Sequence, residues 1–293
     1  MTETNASADG QTQRSTDPEI LRDLAVDWAR QAHRLIVDEL SRIDDLSASV
    51  TLKSSEVDPV TVVDRAVEEL VTGLIAEERP GDGLIGEEGA HRVSSTSVDW
   101  VVDPIDGTVN FLYGVPMYAV SIAAAVDGTP VAGVVLNAAT GELYSAATGH
   151  GSFLTTGDGR TRRLRCNGIS ETNLALVATG FSYDSGLRGK QAEMLTRMLP
   201  RVRDIRRMGS AALDLCQLAA GRVDAYYEHA LNGWDFAAGT VIAREAGARV
   251  EAPALGSRSA DGELIWAAAG PLADDFGALL GRCGVTGTVR RAE

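Results

Sequence analysis

Leu21, Leu24, Trp28, Ala32, Leu35 and Ile36 recur at three- and four-residue intervals, the spacing that gathers side chains on one face of a helix. Asp17-Pro18 opens the run, with Asp17 as N-cap and Pro18 at the first helical position, where its missing N–H is no loss. The pattern predicts a helix from there to about residue 43, and Ala66, Val67, Leu70, Val71 and Leu74 predict a second over 62–78. The period then changes. Short apolar runs at 84–86, 99–103, 118–126, 131–136, 143–147 and 151–155 predict strands, with Asp127-Gly128-Thr129-Pro130 as a hairpin turn. Proline cannot donate to a sheet ladder, so the run through Trp100 and Val102 is expected to stop at Asp103-Pro104. The first half therefore reads as two helices and a largely antiparallel sheet.

The second half alternates. Strands are expected at 174–179, 202–206, 223–228 and 264–269, and helices at 187–199, 210–220 (capped by Ser210), 234–246 and 271–282. Alternation of this kind implies layered packing of the α/β (α+β) class. Residues 1–15 are polar and expected to be disordered. With no long linker, residues 16–293 are expected to form one domain, its halves spanning about 16–160 and 161–293.

Composition narrows the function. The 293 residues carry a net charge of −14 and no long basic run, which argues against a direct grip on nucleic acid or on an anionic membrane. No apolar run reaches the roughly 18 residues of a membrane span. Cys166, Cys216 and Cys283 show no CxxC spacing, so free thiols in a reducing cytoplasm are expected. The four histidines form no HxxxH or HExxH pair, and neither a P-loop nor a GxSxG elbow is present.

The chemistry concentrates in residues 100–111, Trp-Val-Val-Asp-Pro-Ile-Asp-Gly-Thr-Val-Asn-Phe. An Asp-x-x-Asp spacing is often no more than a polar turn. Here it follows a buried strand and precedes Gly107-Thr108, where backbone N–H groups can face a phosphate. Asp103 and Asp106, with the Ile105 carbonyl beside them, are hard oxygen donors suited to Mg²⁺ or Ca²⁺. Glu87 and Glu88 sit in a strand-end loop between Gly86 and Gly89, with Glu87 the better ligand candidate. Asp235 reads either as the N-cap of its helix or as a further metal carboxylate, two compatible roles. Asp64 is placed to hydrogen-bond a hydroxyl such as that of Thr108. Glu228, at the end of Asp224-Ala225-Tyr226-Tyr227, is placed to accept from sugar hydroxyls, and the small residues at Ser210-Ala211-Ala212 leave room for a ring.

Together these blocks resemble the inositol monophosphatase family, the Mg²⁺-dependent, lithium-sensitive sugar phosphatases. The resemblance rests on Gly86-Glu87-Glu88, Asp103-Pro104-Ile105-Asp106-Gly107-Thr108-x-Asn110-Phe111, Trp234-Asp235 and the 224–228 strand, and it extends over residues ~20–280. Lys53-Ser54-Ser55 with Asp58, Thr61 and Asp64 is similar to the family's N-terminal loop.

The resemblance implies a layered αβαβα sandwich, usually homodimeric. It implies Glu87, Asp103 and the Ile105 carbonyl around a first Mg²⁺, and Asp103, Asp106 and Asp235 around a second, with Glu87 helping to retain a third, weaker ion. Gly107 and Thr108 would receive the phosphate, and Thr108 with Asp64 would orient the attacking water. Asp106, Ala211, Glu228 and Asp235 would face the substrate. Li⁺ is expected to inhibit. The implied substrate is a small phosphate monoester, myo-inositol 1-phosphate foremost. Fructose 1,6-bisphosphate, a nucleotide 3′-phosphate, histidinol phosphate and NADP remain open, as does a role as a transcription- or ribosome-associated interaction protein. One departure bears on the substrate: Asn232 stands where animal members carry histidine.

Overall fold

The computed structural model describes residues 15–42, 50–52 and 59–290. The expected disorder of the N-terminal tail falls almost wholly outside these residues, as do Lys53, Ser54, Ser55 and Asp58.

Two helices open the chain, α1 (Pro18–Leu40) and α2 (Val62–Glu78), with the short antiparallel pair β1 (Val50–Leu52) and β2 (Pro59–Thr61) between them. Asp17 caps α1 as expected, its side chain accepting from Glu19 N at 2.9 Å. Eight strands follow: β3 (Gly83–Gly86), β4 (His91–Arg92), β5 (Val98–Asp106), β6 (Ala119–Val126), β7 (Thr129–Asn137), β8 (Leu143–Ala147), β9 (Gly151–Thr155) and β10 (Thr161–Arg163). They form one sheet in the order β10-β9-β8-β7-β6-β5-β3-β4, antiparallel except for the β3–β5 pair. A short helix, α3 (Thr108–Tyr113), leaves the end of β5.

The expected break at Asp103-Pro104 does not occur. β5 runs through Pro104 to Asp106, and its register against β6 shifts between Asp103 and Asp106 instead. An irregularity of this kind accommodates a proline without ending the strand. The hairpin after β6 is likewise tighter than expected, because Thr129 and Pro130 already pair as strand residues.

The second half contributes β11 (Leu176–Thr179), α4 (Ser185–Met198), β12 (Asp204–Arg206), α5 (Ala211–Ala219), β13 (Ala225–His229), α6 (Gly233–Glu245), β14 (Ala248–Glu251), β15 (Leu264–Ala269) and α7 (Ala273–Arg282). Its five strands form a second sheet in the order β12-β11-β13-β15-β14, in which β11 is parallel to both neighbours.

The buried side chains define the layers. Trp28 and Ala32 of α1 and Val67 and Val71 of α2 pack on one face of the large sheet with Trp100, Val102, Ile122 and Val134. Val101, Ala123 and Val135, pointing the other way by strand alternation, pack with Ala212 and Cys216 of α5 and Val241 of α6. The opposite side of those two helices meets Tyr226, Ile265 and Ala267 of the small sheet. The far face of that sheet is covered by Met198 of α4 and Phe276 and Leu279 of α7. The result is the expected αβαβα sandwich. The central layer explains why every residue of α5 is buried: a helix between two sheets has no solvent face. Contact there is close enough that a Cβ on Gly133 of β7 would lie 2.4 Å from the Ala238 carbonyl of α6.

Candidate active site

At the ends of β3, β5 and β13 and the starts of α5 and α6, the layers part around a cavity of about 1040 Å³. Glu87, Asp103, Ile105, Asp106, Gly107, Thr108, Ala211, Glu228 and Asp235 all line it, so nine of the ten expected site residues share one wall system. The tenth, Asp64, is buried in the first turn of α2 and is not on the cavity wall.

Each side chain is placed by local backbone. Asp103 and Asp106 flank the register shift of β5. Gly107 turns the chain with φ +94° into α3, and a Cβ there would meet the Met117 carbonyl at 2.8 Å, so the turn requires glycine. The Thr108 hydroxyl donates to the Ile105 carbonyl at 3.0 Å. Asp106 reaches from the first half of the chain to the second: its Oδ2 accepts from Ser210 Oγ at 2.6 Å and from Ala212 N at 2.7 Å. Ser210, the N-cap of α5 as expected, also accepts from Leu213 N at 3.2 Å.

The expectation that Asp235 caps α6 is corrected. Asn232 occupies the cap and Asp235 the third helical position, its Oδ2 accepting from Asn232 N at 2.6 Å in a capping-box arrangement. Asn232 Oδ1 in turn accepts from Ser259 N at 3.0 Å. Glu228 Oε2 accepts from Tyr226 Oη at 2.9 Å. The carboxyl of Glu228 fills the space beside Gly180, where any Cβ would lie 2.1 Å from it.

The electrostatics are those of buried acids gathered close together. Burial raises the Asp103 carboxyl well above its ordinary range, and the neighbouring Glu87, Asp106 and Asp235 raise it further. Asp235 is raised by burial, then by Glu87 and Asp106. Burial pushes Asp106 up to about 6 against the lowering effect of its bonds from Ser210 and Ala212. Glu228 rises to about 7, again through burial, although Tyr226 and Arg207 favour its charged form. Arg188, Arg207 and Arg290 line the same cavity, and Arg207 acts on Glu228.

Two buried acids lie beside this site that the sequence reading missed. Asp214 on α5 is raised by burial and by Glu228, and Glu68 on α2 bonds the loop that carries Glu87. Both occupy amphipathic-looking helix positions. Only the packing of a second layer over those faces marks them.

The donor set suits a hard divalent cation. It is all oxygen, its acids are near enough to raise one another, and Asp103 Oδ1 is buried with no hydrogen-bond partner among the described residues. Among those residues no three acidic, histidine or cysteine side chains close on one point as a finished ion cage.

A five-layer αβαβα sandwich with acidic strand ends facing a polar cleft defines a class of phosphoric monoester hydrolases. This chain belongs to the inositol monophosphatase family, whose model matches residues 17–280. It is 49% identical over 284 residues to the inositol-1-monophosphatase SuhB of Mycobacterium tuberculosis, covering 92% of this chain and 97% of that one. The solved structure of Mycobacterium tuberculosis SuhB superposes with a TM-score of 0.78 at 46% identity, covering 92% and 98% of the two chains. The Nus factor SuhB of Pasteurella multocida is 40% identical over 229 residues, 78% of this chain and 83% of that one. The protein is thus an enzyme, a phosphoric monoester hydrolase.

Proposed function

We propose that the enzyme hydrolyses phosphate monoesters of small polyols, myo-inositol 1-phosphate foremost, with Mg²⁺ as cofactor. The observation that carries this reading is the buried, partnerless Asp103 Oδ1 among Glu87, Asp106 and Asp235, a concentration of negative charge that would repel a phosphate ester unless cations intervened. Curated relatives named inositol-1-monophosphatase and a solved relative named inositol monophosphatase support the substrate class.

Glu87, Asp103, Asp106, Asp235 and the Ile105 carbonyl would hold two or three Mg²⁺ ions. In such sites the metal lowers the pKa of a bound water and stabilises charge on the leaving oxygen. The chain's own residues supply positioning. Asp106 and Asp235 each have one oxygen fixed by hydrogen bonds, which leaves the other for a cation. The Ile105 carbonyl has two lone pairs and accepts the Thr108 hydroxyl with one of them. Gly107 and Thr108 would receive the phosphate, and Thr108, paired with Asp64, would orient the attacking water. Glu228, Asp106, Ala211 and Asp235 face the polyol. Phosphoryl transfer needs placement and charge neutralisation more than covalent participation, so no phosphoenzyme is expected.

We further read the protein as a cytoplasmic homodimer. Its three cysteines are free, in keeping with a reducing compartment. Among the described residues no helix is long and apolar enough to cross a membrane. A second reading, docking on a transcription complex, has support from the relatives named Nus factor. Phosphate release from inositol 1-phosphate and from fructose 1,6-bisphosphate, with and without Mg²⁺ and Li⁺, tests the main reading. Mg²⁺-independent release, or no release from any phosphate monoester, would overturn it.

A further inference from the structure

The loop that carries Glu87 is held by an acid from another layer. Glu68 lies one helical turn after Asp64 on α2 and is 6% exposed. Its Oε2 accepts from Glu88 N at 2.8 Å and its Oε1 from Ala90 N at 3.0 Å. The loop closes on itself through Gly86 N to the Ala90 carbonyl at 2.8 Å, and Glu87 N reaches the Val102 carbonyl of β5 at 3.3 Å. Glu87 is thereby fixed from both sides. Its own N–H is held by the sheet, and the peptide plane that follows it, which contains the Glu88 N–H, is held by Glu68. Rotation about the Glu87 Cα–C bond would break that second anchor. The approach is tight enough that a Cβ on Gly86 would lie 2.7 Å from Glu68 Oε2.

The choice of glutamate is informative. Among the described residues no lysine or arginine pairs with Glu68, and Glu87 and Glu88 crowd it with like charge. A neutral residue would avoid that repulsion. Only a carboxylate, however, offers two acceptor oxygens to two converging backbone N–H groups, whereas a carboxamide turns a donor toward one of them. Its charge also adds to the attraction for a cation held at Glu87.

We infer that Glu68 is a positioning residue that pre-sets the Glu87 loop and so determines the affinity of the site for divalent cation. The inference rests on the proposed Mg²⁺ chemistry. Outer-sphere partners of this kind typically change metal affinity by ~10–100-fold when removed.

The test compares wild type with Glu68→Gln by calorimetric titration of Mg²⁺ into the substrate-free protein, by Mg²⁺ dependence of turnover, and by hydrogen exchange at the Glu88 and Ala90 amides. The expected result is Mg²⁺ binding at least ~10-fold weaker, with kcat at saturating Mg²⁺ close to wild type and faster exchange at those two amides. Should Glu68→Gln fold poorly, Gly86→Ala, which drives a methyl against Oε2 and leaves the carboxyl in place, is expected to reproduce the loss of affinity. Wild type that binds Mg²⁺ and a folded variant that binds it within twofold would overturn the inference alone. Wild type that binds no Mg²⁺ would overturn the functional reading and the inference with it.

Discussion

Two aspartates buried in the same sheet region make opposite use of their charge. Asp82, just before β3, is fully buried and fully answered. Arg79 Nε donates to it at 2.6 Å, Trp100 Nε1 at 2.9 Å and Thr96 Oγ1 at 2.8 Å. Asp103, three residues beyond Trp100 on β5, is equally buried, yet its Oδ1 has no partner and its neighbours are other acids. The first arrangement is a fold-stabilising ion pair whose cost of desolvation is offset by hydrogen bonds on both oxygens. In the second that cost stands unless a cation arrives. Burial of a charge does not by itself distinguish structure from function; for these two aspartates it is the hydrogen bonding of the carboxylate that differs.

The sharpest way to break this comparison is Asp103→Asn. Loss of the ligand shared between the proposed ions should lower Mg²⁺-dependent phosphate release by more than the ~10²–10³-fold that removal of one electrostatic stabiliser costs. Calorimetric Mg²⁺ binding should weaken in parallel. The melting temperature of the metal-free protein should not fall, because a like-charge cluster has lost a member. Full Mg²⁺-dependent turnover by this variant would end the assignment of Asp103.

Arg79→Met is the converse. Removal of one partner strands Asp82 in the interior, where breaking a buried pair costs ~3–5 kcal/mol. Denaturant titration should show that loss, and Arg79→Met combined with Asp82→Leu should recover most of it. Mg²⁺ affinity of the folded fraction should be unchanged. A single variant as stable as wild type would mean that Asp82 is no better satisfied than Asp103.

The pH dependence separates the two regions more gently. Glu228 is raised to about 7 and Asp106 to about 6, above their values in an unfolded chain. The folded state therefore binds these protons more tightly than the unfolded one. The stability they contribute is complete below the unfolded carboxylate range and is lost as pH rises through 6 and 7. Buried His229, lowered to about 4 by desolvation, acts in the opposite direction as pH falls below its ordinary value near 6.5. The window clear of His229 is therefore pH 8 to 6.5, over which Glu228 and Asp106 together should add about 1 kcal/mol to the metal-free protein. Thermal melts should show this as a rise of roughly 2–4 °C. Saturating Mg²⁺ should remove the Asp106 part, because a cation bound there favours the charged carboxylate, and Glu228→Gln should remove the larger remainder; a slope unchanged in Glu228→Gln would place the proton uptake elsewhere.

Much of the fold is legible in the sequence because the local signals agree with the tertiary context. The periodic run of α2 gives Val62–Glu78 to the residue, and glycine turns bound β8 and β9 just as closely. What escapes is decided by packing. Pro104 reads as a strand end, yet the register shift carries β5 past it to the residues that matter most. β10 and β14 are three and four residues long, with exposed positions that leave little hydrophobic pattern to read. Glu87, Asp103 and Asp106 stand out as candidates from the strands that precede them and the Gly and Pro beside them, and the family resemblance supplies their roles. Glu68 and Asp214 do not, since an acid on a helix normally faces water and only the layers stacked over α2 and α5 bury them.

Asn232 gives the smallest expected effect and sharpens the comparison most finely, because it holds Asp235 by backbone as well as by side chain. The 2.6 Å bond runs from Asn232 N to Asp235 Oδ2, and alanine retains that donor. What Asn232→Ala removes is the long 3.4 Å bond from Nδ2 to Asp235 Oδ2 and the Oδ1 contact to Ser259 N at 3.0 Å. Loss of these side-chain hydrogen bonds costs ~1 kcal/mol, which should appear as a melting temperature lower by a few degrees. Because Asp235 keeps its main-chain anchor, Mg²⁺ affinity should stay within about twofold of wild type, a small perturbation compared with the ~10–100-fold typical of a lost outer-sphere partner. A tenfold loss in the calorimetric titration would instead make the Asn232 side chain part of the cation site. The side of Asp235 that belongs to the fold and the side that belongs to the chemistry could then no longer be separated as they are for Asp82 and Asp103.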